Sequence, residues 1–138
     1  QQYTQALQLA PESAQAHNNL GLLLHQQGEL EAARSHFIEA VRLAPDDADA
    51  YHNLGDVLRR QGQLDAAVAR YVEALARDPE NAVTHNNLGV VRGLQGRFLE
   101  AHEAFAEAVR LKPDYEEARA NLIEAVTAAQ ETPADASR

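Results

Sequence analysis

Residues 48–81 read ADAYHNLGDVLRRQGQLDAAVARYVEALARDPEN, and residues 82–115 read AVTHNNLGVVRGLQGRFLEAHEAFAEAVRLKPDY in the same phase. Gly55 and Gly89 each follow an Asn-Leu pair, as does Gly21, so one unit recurs every 34 residues and is written three times. A unit of this length is one supersecondary element that cannot bury its apolar face alone and is stabilised by stacking on its neighbours. The period therefore predicts a short solenoid.

Working outward from the glycines, Leu20, Leu23 and Leu24 are spaced i, i+3, i+4, and Leu30, Ala33, Phe37, Ala40 and Val41 repeat that spacing after a break at Gly28. Both stretches read as amphipathic helices. The break recurs as Gln27-Gly28-Glu29, Gln61-Gly62-Gln63 and Gln95-Gly96-Arg97, where glycine just past a helix takes the left-handed conformation that ends it. Second helices run out at Pro45, Pro79 and Pro113. Ser13, Asp47 and Asn81 then stand as N-caps, with Asp49 and Glu80 suiting the positive end of the helix dipole. First helices are predicted near 14–27, 48–61 and 82–95, and second helices near 30–43, 64–77 and 98–111. Gly21, Gly55 and Gly89 are expected to cross Ala33, Ala67 and Ala101 closely, with Phe37, Tyr71 and Phe105 as aromatic filler.

The chain has 138 residues, 45% of them hydrophobic, with only 5% aromatic, so alanine supplies much of the core and helices must pack close together. A net charge of −9, from 21 acids against 12 bases, argues against nucleic acid and against anionic membranes, since both need a clustered basic face. There is no cysteine, hence neither a disulfide framework nor a thiolate metal site. No apolar run is long enough for a membrane span. The sequence lacks methionine and opens inside a helical pattern, which reads as a piece of a longer protein.

Leu20, Gly21, Gly28, Ala33, Phe37, Ala40 and Pro45 recur as Leu54, Gly55, Gly62, Ala67, Tyr71, Ala74 and Pro79, then as Leu88, Gly89, Gly96, Ala101, Phe105, Ala108 and Pro113. This set resembles the tetratricopeptide repeat over nearly the whole chain. The resemblance implies an all-α fold, a right-handed α-solenoid of helix-turn-helix repeats. One domain over 1–130 would comprise the second helix of a truncated repeat (1–13), repeats at 14–47, 48–81 and 82–115, and a C-terminal capping helix at 116–130. Residues 131–138 are expected to be a disordered tail. In that last helix Ile123 and Gln130 replace the glycines, because no partner helix crosses there and no hairpin follows. The family places a large aromatic four residues before the crossing glycine, where this chain has His17, Tyr51 and His85. Arg92 takes the place of Leu24 and Leu58, as a charge held for a ligand or a side chain snorkelling to solvent.

In solenoids of this family the first helices line the concave side. Asn19, Asn53, Asn87 and Asn121 recur there at the repeat interval, a ladder of amides, each with donors and an acceptor. It is similar to the asparagine ladder of O-linked N-acetylglucosamine transferase superhelices, which implies grip on a ligand's main chain. The alternative is that these amides hydrogen-bond between neighbouring helices. Asn18, Leu22, His52, Asp56, Asn86 and Val90 are expected to line the same groove, giving a peptide side-chain contacts beside backbone hydrogen bonds. A carboxylate clamp would need lysine or arginine where Asn18, Leu22, Val83 and Asn87 stand, so that use of the family fails.

Six histidines include no pair three or four apart with an added carboxylate, so no metal site is implied. Ser13 and Ser35 lack a histidine-acid arrangement, and the glycine segments are hairpin turns rather than a phosphate loop. No catalytic residue and no cofactor follow from these residues. The expected partner is a protein or peptide segment. Two rivals stand beside it: a self-associating scaffold using the apolar residues Tyr3, Ala6, Leu7 and Ala10 of helix 1–10, and the substrate-selecting region of a larger enzyme such as a glycosyltransferase.

Overall fold

The computed structural model describes residues 13–131, which form seven helices and no strand among the described residues. They are α1 (Ala14–Gln26), α2 (Leu30–Leu43), α3 (Ala48–Arg60), α4 (Leu64–Arg77), α5 (Ala82–Leu94), α6 (Phe98–Leu111) and α7 (Glu116–Glu131). Second helices begin and end where the periodicity puts them, and the first helices α1, α3 and α5 stop one residue short, leaving the glutamine before each turn glycine as the C-cap. Of the expected tail over 131–138, Glu131 instead closes the last helix, while residues 132–138 and the expected helix over 1–10 lie outside the described residues.

Each first helix is capped by the side chain that the sequence offers. The Ala16 N–H donates to Ser13 Oγ at 3.1 Å, the Asp49 N–H to Asp47 Oδ1 at 3.0 Å, and the Thr84 N–H to Asn81 Oδ1 at 3.2 Å. Such caps satisfy donors that would otherwise be orphaned at a helix start. At the other end Gly28, Gly62 and Gly96 have φ of +80°, +75° and +76°, the left-handed region where a Cβ would strain the backbone. The following amides reach back to the carbonyls of Leu24, Leu58 and Arg92 at 2.8–2.9 Å, closing the hairpin.

Two compact units divide the chain, Gln1–Pro79 with α1–α4 and Glu80–Arg138 with α5–α7. In the first, α1–α2 and α3–α4 are helical hairpins, and α3 lies against both α1 and α2. Arg60 Nη1 donates to the His25 carbonyl at 2.8 Å, and Arg77 Nε to the Pro45 carbonyl at 2.7 Å, so arginines of the second repeat satisfy chain ends of the first. Arg77 also lies 4.2 Å above the ring of the buried Tyr51, a cation–π contact. At the matching place in the first repeat His17 meets His36, Nδ1 to Nδ1 at 3.0 Å, one ring donating and the other accepting. In the second unit α5 and α6 form the hairpin, and α7 packs on α6 and touches α5. Arg92 is neither a waiting charge nor a free end: its Nε pairs with Glu100 Oε2 of α6 at 3.1 Å.

The crossing within each hairpin sets the glycine against the aromatic ring. A Cβ on Gly21 would stand 2.6 Å from the Phe37 ring, one on Gly55 2.7 Å from Tyr71, and one on Gly89 2.5 Å from Phe105. The glycine therefore faces the aromatic ring, while Ala33, Ala67 and Ala101 are buried without being its nearest neighbour. Phe37 and Tyr71 are wholly inaccessible. Ile123 takes the place of this glycine in α7 and is 68% exposed, as expected where no ring crosses.

Tyr71 is more than filler. Its hydroxyl donates a hydrogen bond to Asp56 Oδ1, while His52 Nε2 lies 3.1 Å from Asp56 Oδ2 and Arg59 3.8 Å from Oδ1. Burial pushes the Asp56 carboxyl upward, but His52, Tyr71 and Arg59 outweigh it and hold it below the usual aspartate range. Burial and the Asp56 charge push the Tyr71 hydroxyl well above the usual phenol range, so it stays a donor.

Gly89→Ala is expected to lower stability by about 1–3 kcal/mol through overpacking against Phe105, whereas Gly93→Ala, with open space around it, should raise it by about 0.5–1 kcal/mol. Thermal melts followed by circular dichroism decide this; a Gly89→Ala protein as stable as the parent would mean that the ring moves aside freely. Because the folded-state pKa of Asp56 is depressed, its contribution is complete above the ordinary value of 3.8 and is lost as pH falls below it. Asp56→Asn should therefore cost about 1.5–3 kcal/mol at pH 7, with the gap from the parent closing in melts below pH 3.8. A gap that stays constant into acid would remove the carboxylate from the account.

Candidate functional site

Beside the hairpin core each first helix carries residues that keep some exposure, although His52 and Asp56 also touch Tyr71 and Val90 packs against the core around Phe105. In the first unit α1 and α3 present Asn19, Leu22, His52, Asn53 and Asp56, and in the second α5 and α7 present Asn87, Val90 and Asn121. Leu22 is 40% exposed, and the others are half-buried. Asn18 and Asn86 differ from the rest, being 5% and 0% exposed.

Their burial has a partner. Asn53 Nδ2 donates to Asn18 Oδ1 at 3.2 Å, and Asn121 Nδ2 donates to Asn86 Oδ1 at 3.1 Å. Both bonds link residues 35 apart, one more than the repeat interval, because neighbouring first helices meet with an offset of one residue. Asn18 and Asn86 thus act as holders, and Asn53 and Asn121 are the amides held. One donor is spent on the neighbouring helix, and an amide group has a further N–H and an acceptor oxygen. Asn19 is held differently, with Gln15 Nε2 donating to its Oδ1 at 2.9 Å across one exposed turn. Asn87 also has a bonding partner.

Removing a held amide would orphan its buried holder, a cost of about 1–3 kcal/mol. The ladder therefore carries a structural task, and that task fixes the plane of the amides.

The second repeat adds charge to this face. His52, Asp56 and Tyr71 stand where the first repeat has Asn18, Leu22 and Phe37 and the third has Asn86, Val90 and Phe105. A neutral, partly apolar patch is replaced by a carboxylate with three polar neighbours. The sequence reading included His52 and Asp56 but left Tyr71 in the core and Arg59 outside the groove. The signal available was the joint departure of positions 52, 56 and 71 in one repeat, since a phenol replaces a phenyl ring at a buried place only where its hydroxyl finds a partner. No group of three or more histidine or acidic side chains able to hold a metal ion occurs among the described residues.

Comparison with known proteins agrees with the repeat fold. Two tetratricopeptide-repeat models match, one over residues 12–80 and the other over residues 52–116. The Arabidopsis OM64 TPR domain superimposes with a TM-score of 0.79 at 20% identity, covering 81% of this chain and 93% of that one. The crystal structure of MamA gives a TM-score of 0.79 at 21% identity, covering 94% of this chain and 85% of that one. At such identity the likeness concerns the fold. Comparison with curated proteins gives no match. With one repeat model alone spanning half of its length, the chain belongs to the tetratricopeptide repeat family.

Proposed function

We propose that this protein-interaction module takes an extended segment of a partner protein along the exposed faces of its first helices. The observation that carries the reading is the pair of amide-to-amide bonds, Asn53 to Asn18 and Asn121 to Asn86. An amide tethered on one side to a buried neighbour loses little further freedom when it meets a ligand, so its remaining donor and acceptor are pre-organised for a peptide main chain. Asn19 and Asn87 belong to the same ladder by sequence.

Side chains beside the ladder set the selectivity. Leu22 and Val90 offer apolar contact in the first and third repeats, and Asp56 with His52 offers a polar one in the second. Main-chain hydrogen bonds supply affinity that is weakly selective, and alternate side-chain contacts add preference. The chain's net charge of −9 favours a partner segment that is basic or neutral. Self-association through residues 1–10 rests on a segment outside the described residues, and no described feature favours it. The reading is of a non-catalytic module.

The bonds to Asn18 and Asn86 also change how the reading must be tested. Asn53→Ala alone should destabilise the fold by about 1–3 kcal/mol, because Asn18 is left buried and unpaired, and any loss of binding would be ambiguous. Coupling it with Asn18→Leu replaces both partners and should restore much of the stability. Calorimetry with a peptide selected on a peptide array is then expected to show affinity still about tenfold weaker in the double variant. Recovery of affinity together with stability would make the amides purely structural and end the groove reading.

A further inference from the structure

Gly93 stands where the first repeat has His25 and the second has Arg59. Its φ lies outside the left-handed region, and a Cβ built on it meets nothing within 4 Å. Neither the backbone nor the packing asks for glycine here, and a glycine inside a helix costs about 0.5–1 kcal/mol relative to alanine. On the facing helix α7, Ala125 takes the place of Val57 and Val91, and Ala128 that of Arg60 and Leu94. These reductions leave a cavity of about 270 Å3 in the second unit, among α5, α6 and α7.

Val90, Leu94, Phe98, Phe105, Ala125 and Ala128 give it an apolar wall. The comparison that decides what enters is with an engineered cavity of about 150 Å3, which is large enough to bind benzene. A phenyl ring or branched aliphatic group therefore fits this one with room to spare. Asn121 and Glu124 supply the polar part of the lining, which contains no lysine or arginine. Glu124 is exposed and makes no ion pair among the described residues, so its charge is uncompensated.

We infer that this cavity is a side-chain pocket for the bound partner segment, taking an aromatic or large aliphatic residue followed by a lysine or arginine that pairs with Glu124. This rests on the groove reading, because Val90 and Asn121 belong to both. Charge selects the occupant. The chain's own residues 132–138, TPADASR, hold no large apolar side chain, and residues 1–12, QQYTQALQLAPE, hold no basic one. A second copy would bring a surface of the same net negative charge toward Glu124.

The test uses the full chain and three short probes, acetyl-Ala-Phe-Lys-Ala-amide, its Ala-for-Phe analogue and its Glu-for-Lys analogue, in a two-dimensional NMR titration. The first probe is expected to move the amide signals of Val90, Gly93, Ala125 and Ala128, and each analogue to bind about tenfold more weakly. Gly93→Leu should fill the mouth and abolish these shifts while the melt shows the helices intact. Glu124→Lys, on an exposed site, should instead reverse the preference toward the Glu-for-Lys analogue. Shifts that map elsewhere, equal binding of the Ala-for-Phe analogue, or binding unchanged by Gly93→Leu and by Glu124→Lys would overturn the pocket. So would pocket signals that move on dilution or on deletion of residues 132–138 without any probe, which would assign the cavity to a second copy or to the tail. The two readings fail separately. If the array-selected peptide depends on Asn53 while Gly93→Leu changes nothing, the pocket falls alone. If the probe fills the pocket while that peptide ignores Asn53, the extended groove falls and the partner contact contracts to the second unit.

Discussion

The contact on which this fold depends is an aromatic ring packed against a glycine, once in every hairpin. With no Cβ at Gly21, Gly55 or Gly89, the first helix comes close enough for Phe37, Tyr71 or Phe105 to pack on its backbone. A chain with only 5% aromatic residues has few large side chains to fill its interior. Using one ring per repeat to fill the crossing, and alanine for the rest, lets a thin core reach close packing. The capping side chains and the left-handed turn glycines then fix where α1, α3 and α5 start and stop, so the ring and the glycine meet at the same height each time.

Fixing the hairpin also fixes which residues face away from it. The first helices cannot rotate without pulling the glycine off the ring, so Asn53 and Asn121 stay in reach of Asn18 and Asn86. The amide bonds are thus downstream of the crossing. They add a buried polar pair that is costly to break and tolerates only one register between neighbouring helices. Within each unit these bonds hold one first helix in register with the next.

Much of this was legible in the sequence because repetition makes errors visible: a helix boundary read at Gln27 had to agree with those at Gln61 and Gln95. Caps, turn glycines and the helix spans that fall within the described residues came through to within a residue. The identity of the glycine's neighbour was not legible. Periodicity reports which residues share a face, and Ala33 and Phe37 share one, but it does not say which of them reaches the other helix. Amide bonds between neighbouring helices were foreseen as the alternative to a ligand grip, but their register was hidden for a related reason. They join positions 35 apart, and a reading by copies of 34 places Asn53 beside Asn19 rather than beside Asn18. Lateral offset between helices is a product of three-dimensional packing and leaves no mark within a single repeat. Tyr71 was misread because its ring does the work of phenylalanine, so its hydroxyl looked incidental until Asp56 was found beside it.

The places where a repeat departs from its copies carry a different kind of information from the places where it agrees. Agreement at the crossing glycine, the ring and the turn is demanded by the frame and is the same for any ligand. Departures must be tolerated by the frame, and those that the frame does not need call for another explanation. Asp56 with His52 and Tyr71 is one, since Leu22 with Phe37 and Val90 with Phe105 fill the same space without charge. Gly93 is a sharper one, because it forgoes helix stability with no steric return. Both departures lie on or beside first-helix faces, one polar and one apolar, in different repeats. In the proposed groove, residues that repeat in every unit offer each part of an extended ligand the same contacts, so the selectivity of that reading rests on these exceptions.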